Sequence, residues 1–302
     1  MKLNFLTMIK VIDLHFQNHP KTIASFLIES DEGPIIVETG PHSTLPMLEK
    51  GLQQQGYRIE DVKHVFLTHI HLDHAGAAWA FAKKGAMIYV HPFGAPHLHK
   101  PEKLFNSAKR IYGNKMEELW GDLQPIPREH ITVVGHNQVV KVGKIKLKSL
   151  HTPGHAIHHI AWQYSDSLIA GDVAGVRIKK GIVVPPCPPP DINIEDWQTS
   201  IRLIKTMRFR DIYLTHFGKV TKVKPHLVEL EGRLLNWANW MKPRFENETS
   251  MEEITPEFQR YVSKQLEAAG IRGETLFQYE NANPAWMSVA GLMRYWQKKA
   301  SN

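Results

Sequence analysis

The chain has 302 residues, and its 37 Lys+Arg exceed its 30 Asp+Glu by seven, a formal net charge of +7. Hydrophobic residues make up 42% and charged residues 22%, a balance that excludes a disordered or collagen-like chain. No run of about 18 apolar residues occurs, which excludes a helical membrane span. Residues 1–20 are broken by Asn4, Lys10, Asp13 and His15 and lack a small-residue cleavage site, so no secretory leader is expected. Cys187 is the only cysteine. No intrachain disulfide can form, and a reducing, cytoplasmic compartment is expected.

Residues 22–28 and 35–37 read as strands around the turn Asp31-Glu32-Gly33-Pro34. Residues 43–55 read as a helix with Ser43 at its N-cap and Gly56 as its stop. A short apolar strand at 64–68 leads to a helix over 75–84 that ends at Gly85, followed by a strand at 87–90. Residues 91–130 are mixed, helical with loops. Strands follow at 138–142, 144–150, 159–164 and 167–170, then a proline-dense loop over 183–190. Residues 195–208 form an amphipathic helix with Trp197, Ile201, Ile204 and Arg208 on one side, and 211–214 a last buried strand. Beyond Lys224 only helices are expected, near 226–241, 251–269 and 285–299. The change of character near residue 222 predicts two parts: a mixed catalytic domain over 1–221 and a helical extension over 222–302 packed on it.

The Lys and Arg residues are dispersed, without a long basic run or an interleaved aromatic stripe, so a solvated basic surface is expected rather than a nucleic-acid face. The 18 histidines are more informative, because they gather at 69–74, 91–99 and 151–159. Thr68-His69-Ile70-His71-Leu72-Asp73-His74 follows an apolar strand and opens a helix. In extended chain, residues 69, 71 and 73 project to one side, and the turn into the helix brings His74 toward them. Three imidazoles and a carboxylate within six residues suit divalent zinc, iron or manganese. His151 in His151-Thr-Pro-Gly-His155, Asp172 in Ala170-Gly171-Asp172 and His216 in Thr215-His216-Phe217-Gly218 each follow a strand. Loops at strand ends are where a rigid sheet lets such side chains converge. Five histidines and two aspartates are what two adjacent metals need when one carboxylate bridges them.

These motifs resemble the metallo-β-lactamase superfamily, and most of all its glyoxalase-II-like hydrolases, over about residues 20–220. The resemblance implies an α/β (α+β) fold, a four-layer αββα sandwich with the metals at one edge of two facing sheets. It implies two divalent metal ions per chain, zinc first, with iron or manganese as alternatives. His69, His71 and His151 would bind the first ion; Asp73, His74 and His216 the second; Asp172 would bridge them. The chain also departs from the family. Glu38-Thr39-Gly40 stands where members often carry Asp-Thr-Gly. True metallo-β-lactamases usually have Cys or Ser near the position of Asp172, which argues against β-lactam hydrolysis. Glyoxalase II has a Gly/Cys-rich stretch after its bridging aspartate, where this chain has residues 173–181 and the proline loop.

The expected activity is hydrolysis of an ester, thioester or lactone of a small acyl substrate by a hydroxide shared between two metals, with Asp73 and Asp172 the catalytic carboxylates. Two alternatives stay open: a phosphodiesterase or nuclease of the same superfamily, and a sulfur dioxygenase using one iron on His69, His71 and His151. His155, His158 and His159 are expected to support the ligands or fill the core. His91, His97 and His99 are expected at the surface, and Trp237, Trp240, Trp286, Met287 and Trp296 in packing. Cys187 has no base tied to it and is not a nucleophile. Arg177, Lys179 and Lys180 can meet an anionic part of a substrate, the 183–190 loop can wall its pocket, and Tyr112 or Tyr164 can offer a phenol to a lactone carbonyl. A small-molecule substrate, no membrane and no nucleic acid are the expected partners, with the helical extension available for a homodimer.

Overall fold

The structure, a computed structural model, describes residues 8–301. The expectation about a leader therefore falls partly on residues 1–7, outside the described residues. Two compact units are present, one of residues 8–151 with 160–169, the other of 152–159 with 170–301.

In the first unit, β1 (Lys10–Asp13), β2 (Ala24–Ser30) and β3 (Gly33–Val37) pair antiparallel. From β3 the pairing turns parallel through β4 (His64–Phe66), β5 (Met87–Val90) and β6 (Ile131–Val133). Parallel neighbours need crossovers. These are α1 (Leu45–Gln54) before β4, α2 (Leu72–Ala75) and α3 (Ala78–Lys83) before β5, and α4 (Ala95–His99), α5 (Glu102–Tyr112) and α6 (Met116–Trp120) before β6. Ile36, Val65 and Ile88 on one face of this sheet form a core with Leu48 and Leu52 of α1 and Phe81 of α3. The opposite face is covered as well. Phe66 meets the edge of Trp162 at 4.9 Å, and the Trp162 indole N–H donates to the Leu67 carbonyl at 2.9 Å. Burial on both faces explains why these strands read as apolar runs rather than alternating patterns. Trp162 lies in the antiparallel meander β7 (Val139–Val142), β8 (Ile145–His151), β9 (Ile160–Tyr164) and β10 (Ser167–Ile169).

The helix expected over 75–84 is interrupted between α2 and α3. The His74 carbonyl, which a continuous helix would spend on its own next turn, accepts instead from the Thr39 N–H at 2.8 Å and the Thr39 hydroxyl at 3.0 Å. Ser43 does not cap α1 either; its hydroxyl donates to the Leu119 carbonyl at 2.6 Å. Both are tertiary contacts overriding local preference.

The second unit holds α7 (Ile194–Met207), the hairpin β11 (Asp211–Leu214) and β12 (Gly218–Val220), and four helices: α8 (Val223–Glu246), α9 (Met251–Ala268), α10 (Glu274–Ala282) and α11 (Ala285–Ala300). In the first unit strands β1–β6 make one six-stranded sheet, and β7–β10 pair in the order β10-β9-β8-β7. In α7 the Asn193 side chain accepts from the Asp196 N–H at 2.9 Å, and Trp197, Ile201 and Ile204 are buried as the periodicity predicts. Arg208 instead closes the helix in the left-handed region at φ 54° and is exposed. The expected packing role fits Trp237, which is buried with its ring 5.0 Å from that of Phe258, whereas Trp286 is exposed. Helix α10 goes unforeseen because its inward residues are Gln278, Tyr279 and Ala282, not an apolar stripe. Among the described residues no helix is long and apolar enough to cross a membrane.

Two consequences for stability follow from the second unit. Gly154 sits at φ +129°, and a Cβ there would lie 2.3 Å from the Trp197 Cα and 2.4 Å from its backbone nitrogen. Backbone cannot yield as a side-chain tip does, so Gly154→Ala is expected to destabilise the protein by about 3 kcal/mol, read from the urea midpoint. His226 is fully buried on α8. Its Nε2–H donates to the Ala174 carbonyl at 2.7 Å and its Nδ1 accepts from the Arg177 guanidinium at 3.3 Å, an arrangement that fits only the neutral ring. Burial, helped by the Arg177 charge, lowers its pKa from 6.5 to about 4. The unfolded chain binds this proton below pH 6.5 and the folded chain only near pH 4, so stability is full above that window and is lost as pH falls through it. The loss amounts to about 3 kcal/mol. Metal-free wild type should therefore lose more stability between pH 7 and 4 than metal-free His226→Gln does.

Candidate metal centre

Seven side chains carry donor atoms of the kind that bind metals: His69, His71, Asp73, His74, His155, Asp172 and His216. The first four belong to the first unit. The chain leaves β4, runs extended through His71 (φ −60°, ψ 151°) and enters α2. His69 and His74 are fully buried, and His71 and Asp73 are half-buried. His69 Nε2 lies 2.9 Å from His71 Nδ1, and His74 Nε2 lies 3.6 Å from an Asp73 oxygen.

What holds these rings is equally specific. The Thr68 hydroxyl bonds His69 Nδ1 at 3.0 Å. Glu38, fully buried, accepts the Thr68 N–H at 3.0 Å with one carboxylate oxygen and faces His74 Nδ1 at 3.2 Å with the other. A carboxylate can only accept, so His74 Nδ1 carries a proton and Nε2 is the nitrogen that faces Asp73. Glutamate in place of the family's aspartate therefore still reaches an imidazole. Glu38 does so from a left-handed backbone at φ +68°, a strained conformation of the kind that functional sites retain. Burial and the nearby Asp73 carboxylate push the Tyr112 phenol well above its ordinary pKa, so Tyr112 stays protonated.

The other three donors belong to the second unit, and all are buried. Asp172 Oδ2 lies 3.3 Å from His155 Nε2, and Asp172 Oδ1 lies 3.6 Å from His216 Nε2. Each oxygen of one carboxylate thus faces a different imidazole. Asp172 occupies the turn Gly171–Ala174 after β10, and its backbone N–H donates to His159 Nε2 at 3.2 Å. The opposite nitrogen of that ring bonds the Thr152 hydroxyl at 2.9 Å. His159 therefore supports the donor set, as expected of it.

Six of the seven sequence-derived ligands are among these donors; His151 is not, and His155 is. His151 ends β8, where its ring stacks on His91 at 4.2 Å and its N–H donates to His136 Nδ1 at 3.1 Å. The Thr152-Pro153-Gly154 turn, seated on α7, carries the next histidine to Asp172. The motif contains both histidines, and strand-end position alone favours His151. His91 is also buried rather than at the surface; burial, with the neighbouring His151, lowers its pKa to about 4.

Around the donors, Arg177 faces His226 and Glu229, and Lys179 donates to the Thr275 hydroxyl at 2.9 Å. Both are tied to the C-terminal helices. Most of the proline loop is buried, and burial pushes the Cys187 thiol up, consistent with a packed residue. Tyr164 is buried in β9.

A set of imidazole nitrogens and carboxylate oxygens without thiolates fits zinc, iron or manganese. Imidazole nitrogens placed 3.3 and 3.6 Å from the two oxygens of Asp172 fit a carboxylate shared between two cations.

The family model described as the metallo-β-lactamase superfamily matches residues 20–216. A metallo-β-lactamase fold-containing protein of Sulfurisphaera tokodaii is 25% identical over 57% of this chain and 67% of its own length. An N-acyl homoserine lactonase of a Bacillus species is 27% identical over 44% of this chain, and the match spans only 54% of the lactonase. Among solved structures, a metallo-β-lactamase family protein of Thermus thermophilus superposes with a TM-score of 0.64 at 19% identity. That likeness covers 98% of this chain and 94% of the other, so it takes in the C-terminal helices.

Proposed function

This chain belongs to the metallo-β-lactamase superfamily and is a metal-dependent hydrolase, and on that premise we propose that it cleaves the acyl–oxygen bond of a small ester or lactone with two divalent cations. The observation that carries the reading is Asp172, buried, with each oxygen toward a different imidazole. His69, His71 and His155 would hold one ion, Asp73, His74 and His216 the other, and Asp172 both. When bound, such ions supply hydroxide at neutral pH and polarise the acyl oxygen. Hydrolysis then forms a carbon–oxygen bond from water and breaks the acyl–oxygen bond, leaving a carboxylic acid and an alcohol. The protein's part is to place a proton on Nδ1 of His74 and His155 through Glu38 and the Pro186 carbonyl, to hold Asp172 through His159, and to present the protonated Tyr112 near Asp73. Placement of a lactone among the substrates is supported by the lactonase relative. The glyoxalase-II-like placement rests on the sequence motifs alone.

Elemental analysis of untagged protein, paired with a panel of esters, thioesters and lactones followed by proton release, tests the reading. About two zinc or manganese ions per chain, with turnover abolished by chelation and restored by metal, is the expected result. One tightly held iron, with oxygen uptake on thiol persulfides, would replace it with the dioxygenase.

A further inference from the structure

The donor His155 is fixed by a peptide bond, and that peptide is fixed by the C-terminal helices. His155 Nδ1 lies 2.8 Å from the Pro186 carbonyl oxygen, which can only accept, so Nδ1 carries a proton and Nε2 is the nitrogen that faces Asp172. The Pro186 carbonyl belongs to the same planar peptide unit as the Cys187 N–H. That N–H donates to the Ser288 hydroxyl of α11 at 3.4 Å, and Ser288 in turn donates to the Asn283 side-chain oxygen at 3.1 Å. Asn283 closes the arrangement by donating to the Pro185 carbonyl at 3.2 Å. Ser288 is fully buried, and α11 lies so close to the loop that a Cβ on Gly291 would fall 1.9 Å from the Cys187 oxygen. A rigid peptide held at its N–H end cannot rotate its carbonyl away from His155 without losing the Ser288 bond.

We propose that Ser288 is a positioning residue for the metal site, acting through the Pro186–Cys187 peptide to orient His155. The proposal rests on the reading of His155 as a ligand. It also gives the C-terminal helices a role beyond covering a core, because they set a ligand's direction from a distance. Partners that orient a metal-binding imidazole typically change metal affinity 10–100-fold, and one bond further out the lower end of that range is expected.

The test titrates full-length, metal-free wild type, Ser288→Ala and His155→Ala with Zn²⁺ and Co²⁺ against a competing chelator. The melting temperature of each metal-free protein is recorded alongside. The expected result is loss of one ion in His155→Ala, and in Ser288→Ala one ion bound ~10-fold more weakly with an altered Co²⁺ visible spectrum. If His155→Ala loses an ion while Ser288→Ala binds within twofold of wild type, whatever its melting temperature, the proposal is wrong and the ligand reading stands. If His155→Ala keeps both ions, the ligand reading fails and takes the proposal with it. Should Ser288→Ala not fold, Ser288→Cys, whose sulfur is a weak acceptor, carries the same comparison with the same outcomes.

Discussion

Asp172→Asn is expected to lower hydrolysis by ~10³-fold or more and to reduce the metal content from about two ions per chain to one or fewer. Among the proposed ligands only Asp73 and Asp172 are anionic donors that would offset the charge of two dications. Cations ~4 Å apart repel strongly in a buried site. Asparagine keeps the shape and the backbone N–H bond to His159 but removes the shared negative charge. Because Asp172 is buried, its charge is also a burden on the metal-free fold, so the metal-free variant should melt no lower than wild type. That separates loss of metal from loss of structure. An Asp172→Asn protein that turns over at the wild-type rate would remove Asp172 from the mechanism.

The second large effect is a contrast between two histidines four residues apart. His155→Ala is expected to lose one ion per chain and at least ~10²-fold in rate, because it removes a donor that faces Asp172 at 3.3 Å. His151→Ala is expected to keep both ions and stay within a few-fold of wild type, since His151 stacks on His91 and donates its N–H to His136. Metal content and initial rate on any substrate found in the panel give the comparison directly. The opposite pattern would return His151 to the ligand set.

Most of what identifies the family is local in sequence, and so it was legible without a structure. The string from Thr68 to His74 places four donors at a strand-to-helix junction, and chain connectivity alone keeps them together. The strands at 87–90 and 211–214 coincide with β5 and β11 because short apolar runs bounded by turns leave no competing period. Asp172 and His216 could be picked out because each directly follows such a strand.

Tertiary structure decided the rest, wherever two residues of one type compete or a partner lies far along the chain. His151 and His155 belong to one motif; the turn seated on Trp197, 43 residues from Gly154 in sequence number, directs His155 toward Asp172. Glu38 reaches His74 across 36 positions, and Ser288 meets Cys187 across 101. Helix breaks such as that after His74 arise because Thr39 takes a carbonyl that propensity assigns to the helix itself. Periodicity and motif report which residues can bear the chemistry. Which nitrogen keeps a lone pair, and which oxygen it faces, depends on hydrogen bonds between segments remote in sequence, and only the folded chain brings those together.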